Sequence, residues 1–429
     1  MNQKLECAAF VGVDWGDQEH ALCVLTPDGR AIHQGMLKQK PEEIAAWVAQ
    51  LRARFGQRPV AICLEQSRGA LMYALMQYEF LILCPINPAQ LAAYRKALYP
   101  SGAKNDPGDA ELAARFVREH IDRLRVWQPD DENSRALRML SEQRRQWVEQ
   151  RVALENQLRQ RLKETYPKAL ELFRGDLHAE AYLAFLAKFP TLAELRRASP
   201  RQLAQYLPKL RRQPDEPSLE QLQLERVQAI RQAMPLTKDR AILEHARLVI
   251  VHAVAQIRSL NQAIAECEQK IDEFFAQHPD RDLYTSLPGA GSALAPRMAG
   301  ALGTDREKFQ SAEEIQQMTG IAPVTRSSGK TKVVQMRWAC PKYLRQTFHE
   351  FARCSARSSA WAAAYVEMRR AAGTPLQVII RGLAFKWQRI IFRCWKDRQP
   401  YDEQRYLRRL RAAGSQLLPF LPPKLAETP

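Results

Sequence analysis

No uninterrupted apolar run in this chain approaches the roughly 18 residues that span a bilayer. The opening residues, Met1 to Glu6, lack the basic-then-apolar layout of a secretory signal. A cytoplasmic protein with no membrane partner is therefore expected. The eight cysteines include no Cys-x-x-Cys pair and sit mostly among apolar neighbours. That argues against a zinc ribbon or a disulfide framework and for reduced, buried thiols. Acidic residues are in deficit, with 47 Asp+Glu against 64 Lys+Arg, a net charge of +17. The imbalance is concentrated: residues 281–429 hold 25 Lys+Arg and only 11 Asp+Glu. A basic surface of that size predicts a polyanionic partner, nucleic acid above all. What remains is ordinary for a globular chain: 429 residues, 46% of them hydrophobic, enough for two or three domains with their own cores.

Apolar runs at Cys7–Val13, His20–Thr26 and Ala31–Leu37 predict three strands, the last two joined by the turn Pro27-Asp28-Gly29. A helix over Glu42–Phe55, a strand at Val60–Leu64, a helix over Ala70–Tyr78, a strand at Leu81–Ile86 and helices at Pro88–Leu98 and Asp106–His120 follow. That order is the order of an α/β RNase H-like domain. From Asp131 the pattern becomes long helix, with Leu140, Trp147 and Leu154 recurring every seven residues and Arg144 and Arg151 interrupting the companion column. Prolines break up the stretch 165–240. Leu243, Ala246, Ile250, Ala253, Ile257, Leu260, Ile264, Cys267, Ile271 and Phe274 then alternate three-and-four spacing, the pattern of a coiled coil or of one face of a helical hairpin. A mainly helical region follows from about 280 to 411, and 412–429 reads as a tail.

Four carboxylates stand out. Asp14 lies just past the first strand in Val-Gly-Val-Asp-Trp-Gly, and Glu65 ends the fourth in Cys-Leu-Glu-Gln-Ser. Those two strands lie side by side in this topology. Asp106 and Asp109, in Lys-Asn-Asp-Pro-Gly-Asp, share one face of a helix's first turn. Acid groups converging in a basic protein need a cation among them, and Mg²⁺ takes carboxylate and phosphate oxygens together. Singly each has a plain explanation, since Asp106-Pro107 is also how an ordinary helix starts. Gly289 and Gly291, in Leu-Pro-Gly-Ala-Gly-Ser, would let backbone N–H groups approach a DNA phosphate at a helix start, or simply make a tight turn. Ser327 and Ser328 precede Gly329 in a basic loop with Arg326, Lys330 and Lys332, suited to a phosphate or merely exposed. No Ser/His/Asp arrangement accompanies them. Lys386, Arg389, Arg393 and Lys396 flank the stripe Trp387, Ile391, Trp395, which reads as core with cations available to phosphates.

Taken in order, these elements resemble the DEDD transposases, family one hundred and ten of the bacterial insertion sequences, and their relatives of the Piv invertase type. Asp14, Glu65, Asp106 and Asp109 match the family's four acids. The Pro-Gly-x-Gly turn, Gly320-Ile-Ala-Pro323 and Ser-Ser-Gly match its C-terminal motifs. The chain departs from the family in Pro107-Gly108, where a basic or polar residue is more usual, and in a longer middle at about 165–240. The resemblance implies a RuvC-like catalytic domain over 1–125, a coiled-coil region over 126–279 and a C-terminal transposase domain over 280–411. It implies a DNA recombinase in which the four carboxylates hold Mg²⁺. It also implies that Ser328, or Ser327 in its place, attacks DNA to give a covalent 5′-phosphoserine. It further implies donor and target DNA chosen by a bridge RNA, assembly as dimers or tetramers, and association with the bacterial nucleoid.

Two other classes fit parts of the sequence. Val-Gly-Val-Asp-Trp-Gly is similar to the first phosphate loop of actin-like sugar kinases, but such a kinase should show a second glycine-rich phosphate loop in its C-terminal half and does not need the excess of 25 Lys+Arg over 11 Asp+Glu found there. A non-enzymatic nucleic-acid-binding protein explains the charge and leaves the four carboxylates unexplained.

Overall fold

The computed structural model describes residues 6–65, 68–98, 106–124, 126–173, 175–210, 218–329 and 331–422, with the backbone alone for Asp106. The chain divides into two compact units, Met1–Pro129 and Asp130–Pro429.

In the first unit the apolar runs become β1 (Ala9–Asp14), β2 (Glu19–Leu25), β3 (Ala31–Lys38), β4 (Val60–Leu64) and β5 (Leu81–Pro85). They form one mixed sheet in the order β3-β2-β1-β4-β5, antiparallel on the β2–β3 side and parallel from β1 to β5. Every residue of β4 is buried, as expected of a central parallel strand covered on both faces. One layer holds α1 (Pro41–Phe55), whose Ile44, Trp47, Val48 and Leu51 recur at helical spacing and pack on the sheet beside α2 (Ala70–Leu75). The other holds α3 (Pro88–Leu98) and α4 (Asp106–His120), with Ala110, Ala113, Ala114 and Val117 buried against Cys23, Ala61 and Cys63. β1 runs one residue further than the sequence suggests and takes in Asp14, which pairs with Ala21.

The second unit is built on two long helices, α5 (Glu132–Thr165) and α11 (Arg240–Ala276). Cross-links at Arg144–Glu268 and Arg151–Asn261 show that they run antiparallel. The arginines that interrupt the heptad column are thus the residues that tie the two helices together. Ala246, Ile250, Ala253, Ile257, Ile264, Cys267 and Ile271 of the periodic face are all buried within the chain. Between these helices lie α6–α10, at Pro167–Leu172, Glu180–Lys188, Leu192–Arg197, Pro200–Tyr206 and Leu219–Gln232. Their apolar sides join Leu158, Leu162, Ile250 and Ile257 in a core of their own, which gives the proline-broken stretch a structural role. Among the described residues, α11 alone is long and apolar enough to cross a membrane by length and composition, with a mean hydropathy of 1.2 over its most apolar window.

The remainder packs α12 (Arg281–Thr285), α13 (Gly291–Leu302), α14 (Ala312–Met318), α15 (Lys342–Ser358), α16 (Ala360–Ala371), α17 (Leu376–Asp397) and α18 (Glu403–Ala412) around three fully buried tryptophans, Trp361, Trp387 and Trp395. Each indole N–H finds an acceptor: the Tyr401 hydroxyl at 2.8 Å, Ser355 Oγ at 2.7 Å and the Gly303 carbonyl at 2.7 Å. Trp387, Ile391 and Trp395 are therefore core. Among the described residues, the one departure from helix in this unit is a hairpin, β6 (Val324–Ser328) and β7 (Thr331–Gln335). The sequence alone predicts a loop here. The structure instead pairs Val324–Ser328 with Thr331–Gln335, and Gly329, at φ 54°, leaves β6 in the left-handed region that favours glycine.

Candidate active site

Asp14 closes β1, and Glu65 follows the last residue of β4. The two strands are parallel and in register, with Val13 opposite Leu64. Both carboxylates therefore leave the same edge of the sheet from neighbouring strands. The helix carrying Asp106 and Asp109 crosses this face. Gly12, two residues before Asp14, lies directly under α4, where a methyl group would overlap the Ala110 carbonyl oxygen and the Ala114 amide nitrogen. At the other end of the helix Arg118 lies against Gly29, in the turn after β2. Because the β2 residue Leu25 pairs with Phe10 near the start of β1, α4 runs antiparallel to β1. Its N-terminus faces the edge that carries Asp14 and Glu65.

Asp109 is buried and accepts a 2.6 Å ion pair from Arg95 on α3. The Asp106 side chain is outside the described residues. Among the described residues no three His, Cys, Asp or Glu side chains draw together as a ready ligand cluster. Among the described residues, Asp14 and Glu65 at two strand ends and Asp109 at a helix start supply carboxylate oxygens. That donor set fits a hard cation such as Mg²⁺ and not zinc. Arg95 supplies the positive charge that buried Asp109 requires. Burial pushes the nearby Cys84 thiol up to about 12, and Cys63, beside it in the sheet, is raised for the same reason. All eight cysteines are free.

One feature of this edge is not evident from the sequence. His20, fully buried, accepts the Gly16 N–H at Nδ1 (3.3 Å) and meets Gln39 Oε1 through Nε2 (2.5 Å). It therefore fixes the loop that leaves Asp14. A histidine inside an apolar run six residues after the aspartate is the available signal.

In the second unit Ser327 and Ser328 both lie on exposed β6, but on opposite faces of the ribbon. Ser328 is paired with Thr331 and shares its face with Arg326 and Val333. Ser327 is paired with Lys332 and shares its face with Thr325 and Val334. Each hydroxyl thus has one described cation on its own face, and Lys330 is outside the described residues. Gly291 opens α13 with φ 56° and nothing within reach of its missing side chain. Gly289 has φ 85° and packs against the Cys354–Ser355 backbone of α15, so close packing already demands glycine there.

Known sequences identify the family. A transposase family model of the IS110 DEDD type matches residues 11–167, which hold all four carboxylates. A second, for the transposase IS116/IS110/IS902 family, matches 281–367, which hold both glycines and both serines. The chain belongs to the IS110 family of transposases. A mini-circle putative transposase for IS117 from Streptomyces coelicolor is 26% identical over 404 residues, 92% of this chain and 96% of its own length. The insertion element IS110 protein of 43.6 kDa from the same organism is 24% identical over 76% of this chain and 78% of its own. A putative transposase of Sinorhizobium fredii is 29% identical over 185 residues, 42% of this chain and 51% of its own. As a transposase of an insertion sequence, the protein has DNA as a partner.

Proposed function

We propose that this transposase is a recombinase that breaks and rejoins DNA through a serine ester, using an RNase H-like first unit and a second unit whose residues 280–411 supply the nucleophile. The observation that carries the reading is the shared edge of Asp14 and Glu65, with the N-terminus of α4 directed toward it. The mixed sheet, with its antiparallel β2–β3 side and helices on both faces, supports the RuvC-like assignment.

Asp14, Glu65, Asp106 and Asp109 would hold Mg²⁺, which supplies a Lewis acid for the scissile phosphate. The chain's own residues do the rest. Ser328 Oγ forms a bond to phosphorus, the bond from phosphorus to the 3′ oxygen breaks, and the DNA leaves with a free 3′ hydroxyl while its 5′ phosphate stays on the serine. Arg326, on the same ribbon face, offsets charge that develops on the phosphate oxygens. The serine proton passes to solvent or to the departing 3′ oxygen, since no histidine adjoins the hairpin in sequence. Ser327, facing Lys332, is the other hydroxyl in reach of the turn. Reversal of the same steps with a different 3′ hydroxyl rejoins the strands. Gly291, at the open start of α13, suits a backbone contact to phosphate.

The same reading includes a structured guide RNA that selects donor and target DNA, an oligomer of at least two chains, and work on the chromosome in the cytoplasm. Strand cleavage by wild type and by Asp14→Asn and Glu65→Gln, with Mg²⁺ and with EDTA, tests it. Both variants should keep the wild-type melting temperature and lose cleavage. Undiminished cleavage in EDTA contradicts the metal role.

A further inference from the structure

The basic residues around the tryptophan stripe divide into two groups. Lys396 is used internally: its ammonium donates to the Arg306 carbonyl at 2.5 Å. Lys386, Arg389 and Arg393 instead line one exposed face of α17 and meet Arg405 and Arg409 of α18 across a cleft of about 350 Å³. Only two carboxylates share it. Asp397 pairs with Arg393 at 3.1 Å, an exposed contact of little strength. Asp402 caps α18 by accepting the Arg405 backbone N–H. Among the described residues Arg389, Arg405 and Arg409 have no carboxylate within ion-pair distance.

The cleft is rigid. The opposite face of α17 is Trp387, Ile391 and Trp395, fully buried. Its floor includes Tyr401, whose hydroxyl is taken by Trp361, and Tyr406, whose ring packs on Trp361 at 4.9 Å. Burial and then the neighbouring Arg389 charge hold Lys386 below the usual lysine range. Like charges held together on this floor suit a chain of phosphates.

We propose that the α17–α18 cleft binds the phosphodiester backbone of DNA, without regard to sequence and independently of the serine and carboxylate chemistry. The choice of DNA rests on the transposase reading, whereas the site itself rests on the cleft.

The test measures binding of labelled random-sequence DNA, and of RNA of the same sequence, to the full chain over a range of salt concentrations. Arg389→Gln/Arg393→Gln/Arg405→Gln/Arg409→Gln is expected to weaken DNA binding at least tenfold and to lower the slope of log affinity against log salt by up to about 3.6, roughly 0.9 for each phosphate no longer neutralised. The four Arg→Lys replacements should keep most of the slope. Lys209→Gln/Lys238→Gln/Arg240→Gln/Arg247→Gln, which removes the same charge from a distant exposed surface, should change it little. If the first variant melts early, the α17 pair and the α18 pair tested separately should each remove about half the effect. Equal losses in the cleft and distant variants overturn the proposal. So does an unchanged DNA slope, or a loss confined to RNA.

Discussion

The Gly12 Cα faces the Ala110 carbonyl across a gap too small for a methyl group. This contact seats α4 on β1 and aims the helix start at the edge carrying Asp14 and Glu65. Gly12→Ala must therefore lift or shift the helix against backbone atoms that cannot swing aside. The expected cost is about 2–3 kcal/mol, read as a lower melting temperature of the first unit, together with reduced strand cleavage. A variant with wild-type stability and wild-type cleavage contradicts the seating.

Asp109 and Arg95 form the other decisive pair, with side chains only 6% and 19% exposed. Removing one partner leaves a buried charge, so Arg95→Met should destabilise the first unit by about 3–5 kcal/mol. If Asp109 is a metal ligand, Mg²⁺ should restore part of that loss where Na⁺ at equal ionic strength does not, since a ligand bound only by the folded state stabilises it. A melting temperature for Arg95→Met that is blind to Mg²⁺ counts against Asp109 as a ligand.

The sheet order and the placement of Asp14, Glu65 and Asp109 on its elements were legible because strand alternation and helix starts are local signals. Two things were not local. The periodic face of α11 gave its helix correctly, but periodicity does not name a partner, and the partner is α5 of the same chain. Its disguise was the arginines at 144 and 151, which break the hydrophobic column yet bond Glu268 and Asn261. The hairpin at 324–335 was not legible because its strands are exposed on both faces and carry no core-facing stripe. The links from Asp109 to Arg95 and from His20 to Gly16 join residues in ways that no spacing rule encodes.

That intramolecular partner changes what a charge on the seam does. Ile257 and Ile264 are 0% and 5% exposed within one chain. Ile257→Asp with Ile264→Asp should therefore unfold the second unit, because two carboxylates enter a core without partners. The check is circular dichroism melting beside a mass measurement. A folded double variant that merely dissociates into smaller species would return the seam to an interface between chains.

Below neutral pH the second unit should weaken through His278. Its Nδ1 accepts the Asp280 N–H at 3.1 Å, and its Nε2 contacts Ser134 Oγ at 3.0 Å, so the hydrogen bonds select the neutral ring. Burial, reinforced by Arg306 and opposed by Asp131 and Asp280, holds its pKa below the ordinary value. The unfolded chain then binds the extra proton first. This contribution is complete above about pH 6.5 and is lost as pH falls toward the folded pKa. His278→Gln should flatten the dependence of melting temperature on pH over that window, and identical pH profiles would remove His278 as the cause.

The covalent step separates this account from every RNase H-like enzyme that uses water or a 3′ hydroxyl alone. The measurement is a denaturing gel of the transposase mixed with Mg²⁺ and 5′-phosphate-proximal labelled donor DNA, together with any RNA that co-purifies. Wild type should give a slow-migrating protein–DNA adduct that is absent in EDTA and in Ser328→Ala. An adduct that survives in Ser328→Ala and vanishes in Ser327→Ala moves the nucleophile to the other face of the ribbon. Recombination without any adduct contradicts the serine mechanism.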